Sequence, residues 1–315
     1  SAVTRKLLDR GHQVRVLVRA ASDRANLDGL KLEIAVGDLA DTTSLRRAIH
    51  GCSALFHIAA DYRLWVPNPE ETYRINVHGT RNLMLAALDA GVERIVYTSS
   101  VATLGLNDDG SPADEETPTS LDEMIGPYKR SKYLAEEEIK NLVENEELPA
   151  TIVNPSAPVG PRDLKPTPTG QMILDAAAGR MPAYVDTGLN IVHVDDVATG
   201  HLLALDCGKP GRRYILGQQD MSLKEIFAEV AAITGRKPPA VRLPHGLLYP
   251  VAWVSERWAS ATGKPPRVTL DGLRLARKRM YFSSARARAE LGYEPRPASD
   301  AIRDAVDWFR ANGYF

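Results

Sequence analysis

Two serines, a tyrosine and a lysine are the residues whose types and spacing could do chemistry. Ser99 and Ser100 follow an apolar, β-branched run at 92–97 that Gly91 precedes, and such a run reads as a short buried strand. Tyr128 and Lys132 stand at the start of the stretch 128–143. Gly126-Pro127 blocks that stretch on its N-terminal side, and Tyr133, Leu134, Ile139, Leu142 and Val143 give it an apolar face, so it reads as a helix. Four residues apart on a helix, the phenol and the ammonium share one side. A free phenol titrates near pH ~10, and a neighbouring ammonium favours its ionised form. A tyrosine tuned this way gives or takes a proton at a carbinol or carbonyl oxygen. A serine hydroxyl opposite it, Ser100 ahead of Ser99, holds the same oxygen. Tyr-x-x-x-Lys also arises by chance on many helices. Its weight here comes from its place after a Thr-Ser-Ser strand end in an alternating β/α chain, because an open parallel sheet binds ligands beyond the carboxyl ends of its strands.

The elements that must position these groups are legible along the chain. Strands are expected at 13–18, 32–36, 54–58, 92–97, 150–153, 191–194 and 213–216, and helices at 1–10, 41–50, 69–90, 128–143, 171–178, 197–205, 223–234 and 300–310. Asp41 or Thr42 caps the second helix, Asp195-Asp196 cap the helix from Val197, and Ser222 with Glu225 forms a capping box. The order is that of an α/β protein with a doubly wound parallel sheet of Rossmann type and a smaller mixed C-terminal substrate lobe. The expected division puts a dinucleotide-binding domain at 1–160, with 186–208 returning to it, and the substrate lobe mainly at 161–185 and 209–315. The segment 107–127, acidic and proline-rich, reads as a solvated loop. The apolar segment 244–261, with Leu247, Leu248, Val251, Trp253, Val254 and Trp258, reads first as a core-packing helix. Its sharper alternative is a greasy lid for an apolar substrate or a membrane-surface contact.

Composition excludes several classes. The 315 residues are 44% hydrophobic and 25% charged, with a net charge of −1, which leaves no electrostatic footprint for nucleic acid. No apolar run approaches the ~20 residues of a membrane span. Two cysteines, Cys52 and Cys207, give neither a disulfide framework nor metal spacing. They suit a reducing, cytoplasmic setting, and no metal is expected.

Further candidates lie at the strand ends. Arg19 ends the strand 13–18, where an acid would accept from the adenosine ribose and favour NAD. An arginine there accommodates a 2′-phosphate, so NADP(H) is favoured over NAD(H); the bland alternative is a solvated arginine. Ala59-Ala60 are small enough to let a ligand approach the backbone closely. Tyr62, Arg63 and Trp65 on the following loop are candidate substrate contacts. Arg162 and Lys165, on the loop 160–170, could meet the phosphates of a nucleotide-sugar, or be surface charges.

These residues resemble the Ser–Tyr–Lys machinery of the extended short-chain dehydrogenase/reductases, and the likeness covers essentially the whole chain. It is carried by 59–65, Asn76-Val77-His78-Gly79-Thr80, 97–105, 154–163 and Val192-His193-Val194-Asp195-Asp196-Val197, and it is nearest to the hopanoid-associated sugar epimerases, often termed dihydroflavonol-4-reductase-like. The resemblance implies that Asp38-Leu39 reaches the adenine, that Ala59, Ala60 and Ser99 lie against the cofactor, and that Pro155 lies by the nicotinamide carboxamide. It implies that Tyr128 is the acid/base, that Lys132 holds the cofactor ribose, and that Asn76 orders a water-linked relay to the lysine. His193 joins the substrate candidates. A homodimer through the helices 69–90 and 128–143 is expected on the same ground. The family carries a strand and a G-x-x-G-x-x-G turn before its first helix, so about 10–15 residues are expected ahead of Ser1. The expected activity is hydride movement at a secondary alcohol or ketone carbon. The leading reading is a nucleotide-sugar epimerase, the alternative an NADPH-dependent ketone reductase, and a non-catalytic dinucleotide sensor a third.

Overall fold

Alternate side chains along the central strands enter opposite cores, and that alternation fixes the layers. Ile95, Tyr97 and Ile152 join one cluster with Leu45, Met84 and Ile139, whereas Val96 and Val153 join the other with Val197, Leu216 and Leu291. A strand buried on both faces needs helices on both sides, which is the parallel-sheet condition. The coordinates, a computed structural model, describe residues 1–315 except 62, 64, 67, 263–265, 267 and 268 and the side chains of 260 and 261.

The first half runs α1 (Ala2–Asp9), β1 (Arg15–Val18), β2 (Glu33–Val36), α2 (Thr42–Ile49), β3 (Ala54–His57), α3 (Pro69–Tyr73), α4 (Gly79–Asp89), β4 (Arg94–Thr98), α5 (Gly126–Glu146), β5 (Ala150–Pro155) and β6 (Ala157–Val159). The second runs α6 (Pro168–Ala177), β7 (Ala183–Tyr184), β8 (Gly188–His193), α7 (Val194–Cys207), β9 (Arg213–Leu216), β10 (Gln219–Ser222), α8 (Leu223–Thr234), β11 (Val241–Arg242), α9 (Tyr249–Thr262), α10 (Leu270–Leu275), β12 (Arg279–Met280), α11 (Ala285–Leu291) and α12 (Ala298–Ala311). The principal sheet is parallel, in the order β3-β4-β5-β9, and β1 pairs with β2 in a separate parallel ribbon. α2, α4 and α5 cover one face; α1, α7 and α11 cover the other. This is the doubly wound α/β architecture. A second sheet, β10-β8-β12 with β6 on β8, packs against α6, α8 and α12. α12 buries Ala298, Ala301, Ile302, Ala305, Val306 and Phe309 on one stripe, the helical period of an amphipathic surface helix.

Several expectations need correction. Arg213–Leu216, assigned to the substrate lobe, is β9 of the principal sheet, in register with Ile152–Pro155. Residues 188–193, assigned to the dinucleotide half, form the centre of the second sheet; only α7 returns to pack on β4 and β5. The chain therefore crosses between the two sheets more often than a linear division allows. The long helix expected at 69–90 is present as α3 and α4, joined without a break through a π-helical turn, Arg74–His78, centred on Asn76. The loop 107–127 is pinned rather than merely solvated. Ala113 bonds the chain at Tyr281 and Ser283, and buried Glu115 accepts the Ile215 amide (2.8 Å) at the sheet edge. Finally, α9 does not pack its large residues into a core: Ala252 and Ala259 are buried while Trp253, Val254 and Trp258 are exposed. Among the described residues, no helix is long and apolar enough to cross a membrane.

Candidate active site

The site lies where β4 ends against the first turns of α5. Ser100 adopts extended backbone and its Oγ accepts the Ala102 amide (3.1 Å), capping a short 3₁₀ turn over Val101–Thr103. α5 begins at Gly126, whose φ of +81° suits a residue without a Cβ, and Pro127 fills a first-turn position that needs no donor. This start brings the Tyr128 hydroxyl to Ser100. Burial pushes the Tyr128 phenol above its ordinary 10, and the hydrogen bond with Ser100 opposes that rise.

Lys132 differs from expectation. Its Nζ donates to Tyr97 Oη (3.0 Å) and Thr98 O (2.8 Å) and stands 4.6 Å from the centre of the Tyr97 ring. The expected lowering of Tyr128 by this ammonium is therefore absent, because the amine is taken up by the end of β4. Burial lowers Lys132 to about 8, and Glu136 pulls it back up. The same ammonium helps burial to push His57 down to about 3.

Asn76 is held by three direct hydrogen bonds. Its Oδ1 accepts the Asp61 amide (2.7 Å), and its Nδ2 donates to Asp61 O and Ser131 Oγ (both 2.9 Å). Ser131 Oγ in turn donates to Tyr128 O (2.8 Å). The π-helical turn aims Asn76 at this junction, so it ties the loop after β3 to the turn that carries Tyr128. Lys132 is not among its partners.

Sequence reasoning missed Glu136. It is 2% exposed, one turn beyond Lys132, and its Oε2 accepts from Ser99 Oγ, Thr103 Oγ1 (2.8 Å) and Asn154 Nδ2 (3.0 Å). Its Oε1 lies 3.4 Å from both Lys140 Nζ and Arg213 Nη1. Asn154 Nδ2 also reaches Ser100 O (3.1 Å). The carboxylate thus braces the strand end from behind. The available signal was positional: Tyr128, Lys132 and Glu136 recur every four residues along one face of α5.

The remaining candidates divide clearly. Arg19, Asp38 and Ala59 are exposed and Ala60 half-buried, each close after a strand of the principal sheet or of the β1-β2 ribbon. Asp38 accepts the Ala40 amide (2.9 Å), and Leu39 packs where a Cβ on Gly79 would meet it at 2.9 Å. Pro155 closes β5, buried. Ser99 Oγ is turned inward to Glu136. His193 is fully buried: its Nδ1 accepts the Asp195 amide (3.0 Å), making it the cap of α7 in place of Asp195-Asp196, and its Nε2 bonds Asp304 (3.0 Å). It has no nitrogen left for a substrate. Arg162 is ion-paired with Asp195 and Arg63 with Asp61 (2.6 Å); Lys165 is exposed. Tyr62 lies outside the described residues. A cavity of ≈ 640 Å³ opens beside the head of α5, between Leu106, Asp122 and Ile125 on one side and Arg277, Lys278 and Arg279 on the other.

This arrangement can hold an oxygen between two hydroxyls at the carboxyl edge of a parallel sheet. The exposed small residues after β3, with a cation after β1 and an acid after β2, match the chemistry of a dinucleotide: a flat purine, a ribose and phosphate.

Comparison with known proteins agrees. A profile of the NAD dependent epimerase/dehydratase family matches residues 1–217. A Synechocystis sp. protein that carries a dihydroflavonol 4-reductase assignment is 46% identical over 99% of this chain and 92% of its own. Sterol demethylase protein B of Methylococcus capsulatus is 37% identical over 99% and 95%. The crystal structure of gox2253 superposes with a TM-score of 0.90 at 60% identity, covering 100% of this chain and 95% of that one.

Proposed function

The chain belongs to the NAD-dependent epimerase/dehydratase family, and on that premise we propose that this NAD(P)-dependent enzyme moves hydride at a secondary alcohol or ketone carbon, working as a ketone reductase on an apolar substrate. The observation that carries this is the facing pair Tyr128–Ser100 at the end of β4. A phenol held above its ordinary pKa by burial stays protonated at neutral pH and is an acid. As hydride reaches a carbonyl carbon, the oxygen gains negative charge; Tyr128 gives it a proton and Ser100 steadies it. Asn76, through Ser131, keeps the Tyr128 turn against the loop after β3. A bound dinucleotide would supply the hydride. We assign its ribose to Lys132, its carboxamide edge to Pro155, its adenine to Asp38-Leu39 and its close approach to Ala59-Ala60. Arg19, exposed just after β1, supports NADP(H) in this reading.

Epimerisation of a nucleotide-sugar needs the same proton and hydride positions. Its phosphate contacts were to be Arg162 and Lys165, and Arg162 is committed to Asp195. The relative named for sterol demethylation points instead to an apolar alcohol or ketone, which the proposal adopts. The homodimer through α4 and α5 and the cytoplasmic setting, which the free thiols Cys52 and Cys207 suit, belong to the same reading.

The test is NADPH and NADH oxidation by the full chain over apolar ketones beside nucleotide-sugar isomer analysis. Net NADPH consumption with a ketone, removed by Tyr128→Phe, is the expected result. Isomerised sugar without net cofactor turnover would replace the reductase with the epimerase; turnover unchanged by Tyr128→Phe would end the site assignment.

A further inference from the structure

The outward face of α9 carries none of the residues assigned to the reaction above. A surface helix ordinarily turns its large apolar residues inward, and α9 with the turn before it does the reverse. Ala252 and Ala259 are buried, while Leu247, Val251, Val254 and Trp258, spaced four, three and four apart, are 65, 52, 58 and 69% exposed. Trp253 is 54% exposed, with the Arg257 guanidinium 5.4 Å from its ring centre. Of the nine exposed large apolar side chains among the described residues, six fall between 241 and 258. Charge is a second, independent observation. Residues 236–279 hold ten Lys and Arg against Glu256 and Asp271, a balance of +8. The whole chain sums to −1, so the remainder carries −9.

We propose that α9 and its basic flanks dock on an anionic lipid bilayer. A helix with tryptophans and aliphatic side chains on its outer face lies in the membrane interface, rings at headgroup depth, and neighbouring Arg and Lys are drawn to lipid phosphate. Charge decides the occupant. A second copy joined by a two-fold axis through this face would set like net charges against each other, even with Arg242 and Arg279 paired to Asp186 and Arg274 to Asp271. The acidic remainder is repelled by the same lipid surface, which orients the molecule. α9 packs on α10, whose Asp271 Oδ2 would lie 3.1 Å from a Cβ on Gly126, two residues before Tyr128. Arg277, Lys278 and Arg279, just after α10, line the cavity beside α5. The inference concerns location and stands whichever reaction the site performs.

The test is sedimentation of the full chain with vesicles of phosphatidylglycerol and phosphatidylcholine in equal parts, and with phosphatidylcholine alone. Binding to the anionic vesicles at low salt is expected, weaker by about tenfold or more on neutral vesicles or with Arg257→Glu, and lost in the double variant Trp253→Asp/Trp258→Asp. All three positions are exposed, so thermal unfolding of the variants, measured alongside, should match the parent. Three results would each overturn the proposal: a parent that stays in the supernatant over anionic vesicles, equal binding to neutral ones, or a double variant that binds as the parent does. Light scattering that shows an oligomer dissolved by the double variant would likewise overturn it, giving the face to a second copy.

Discussion

Lys132 and Trp258 occupy each other's ordinary surroundings: the ammonium is in a residue 3% exposed, the indole in one 69% exposed. Around the head of α5, charged and polar side chains are sealed in and bonded to one another. On α9, apolar side chains face outward beside cations. Burial normally sorts residues the other way, so each region costs stability that the fold must recover elsewhere. In the first region the polar groups hold two hydroxyls at a fixed separation, which a fluid or wet site would not do. In the second, apart from Trp253 beside Arg257, no described ring, ion-pair or hydrogen-bond contact within the chain uses the exposed apolar side chains. The contrast teaches that the sealed region should be sensitive to every substitution and the exposed one to almost none.

The sharpest way to break that contrast is Tyr128→Phe, which keeps the ring and deletes the acid. A loss of about 10²–10⁴-fold in kcat is expected with thermal stability little changed; a loss below tenfold would show that the sealed region is merely structural. Next is the pH dependence set by Lys132. Its ordinary value of 10.5 is lowered to about 8 in the fold, so at pH below 8 both folded and unfolded chains hold the proton and folding bears the full cost, roughly 3 kcal/mol. As pH rises from about 8 to about 10.5 the folded chain loses its proton first, the unfolded chain binds more, and stability rises. Denaturant titrations across that window should show the parent gaining on Lys132→Met by that order. A parallel course would mean that the buried amine is solvated.

Glu136→Gln sharpens the same region. An amide has one acceptor oxygen where the carboxylate accepts from Ser99, Thr103 and Asn154 and meets Lys140 and Arg213, so a buried donor is left unpaired at about 1–3 kcal/mol. Glu136 also raises Lys132; its neutralisation should move a Lys132-dependent inflection in kcat/KM below 8. A lower stability with an unmoved inflection would assign Glu136 to structure alone.

How much of this was legible follows from which forces act locally. The strand run ending at Thr98 and the helix of Tyr128 were readable because period and capping are written in neighbouring residues. So was the facing of Ser100 and Tyr128, since a parallel sheet puts strand ends and helix starts on one edge. The partner of Lys132 was not, because Tyr97 Oη comes from a strand 35 residues away and competes with a tyrosine only four away. His193 misled for a related reason: it stands near the end of the strand expected at 191–194 and was a substrate candidate, while its ring is claimed by Asp304, 111 residues on. The inward-facing alanines of α9 carried a signal that mean hydropathy hides, since counting apolar residues does not say which side they face.

The smallest effect belongs to α9 and tests the other half of the contrast. If Val254 and Trp258 hold nothing within the chain, Val254→Ser and Trp258→Ser should each shift stability by no more than about 0.5 kcal/mol and leave turnover of a water-soluble ketone unchanged. Burial of a tryptophan or valine in a core would instead cost several times that on removal. A drop of that size would mean that the face is covered in solution, and the two regions would then obey one rule of burial rather than two. Unchanged stability combined with loss of turnover only for a substrate presented in vesicles would separate the regions completely: chemistry fixed by what α5 seals in, access set by what α9 leaves out.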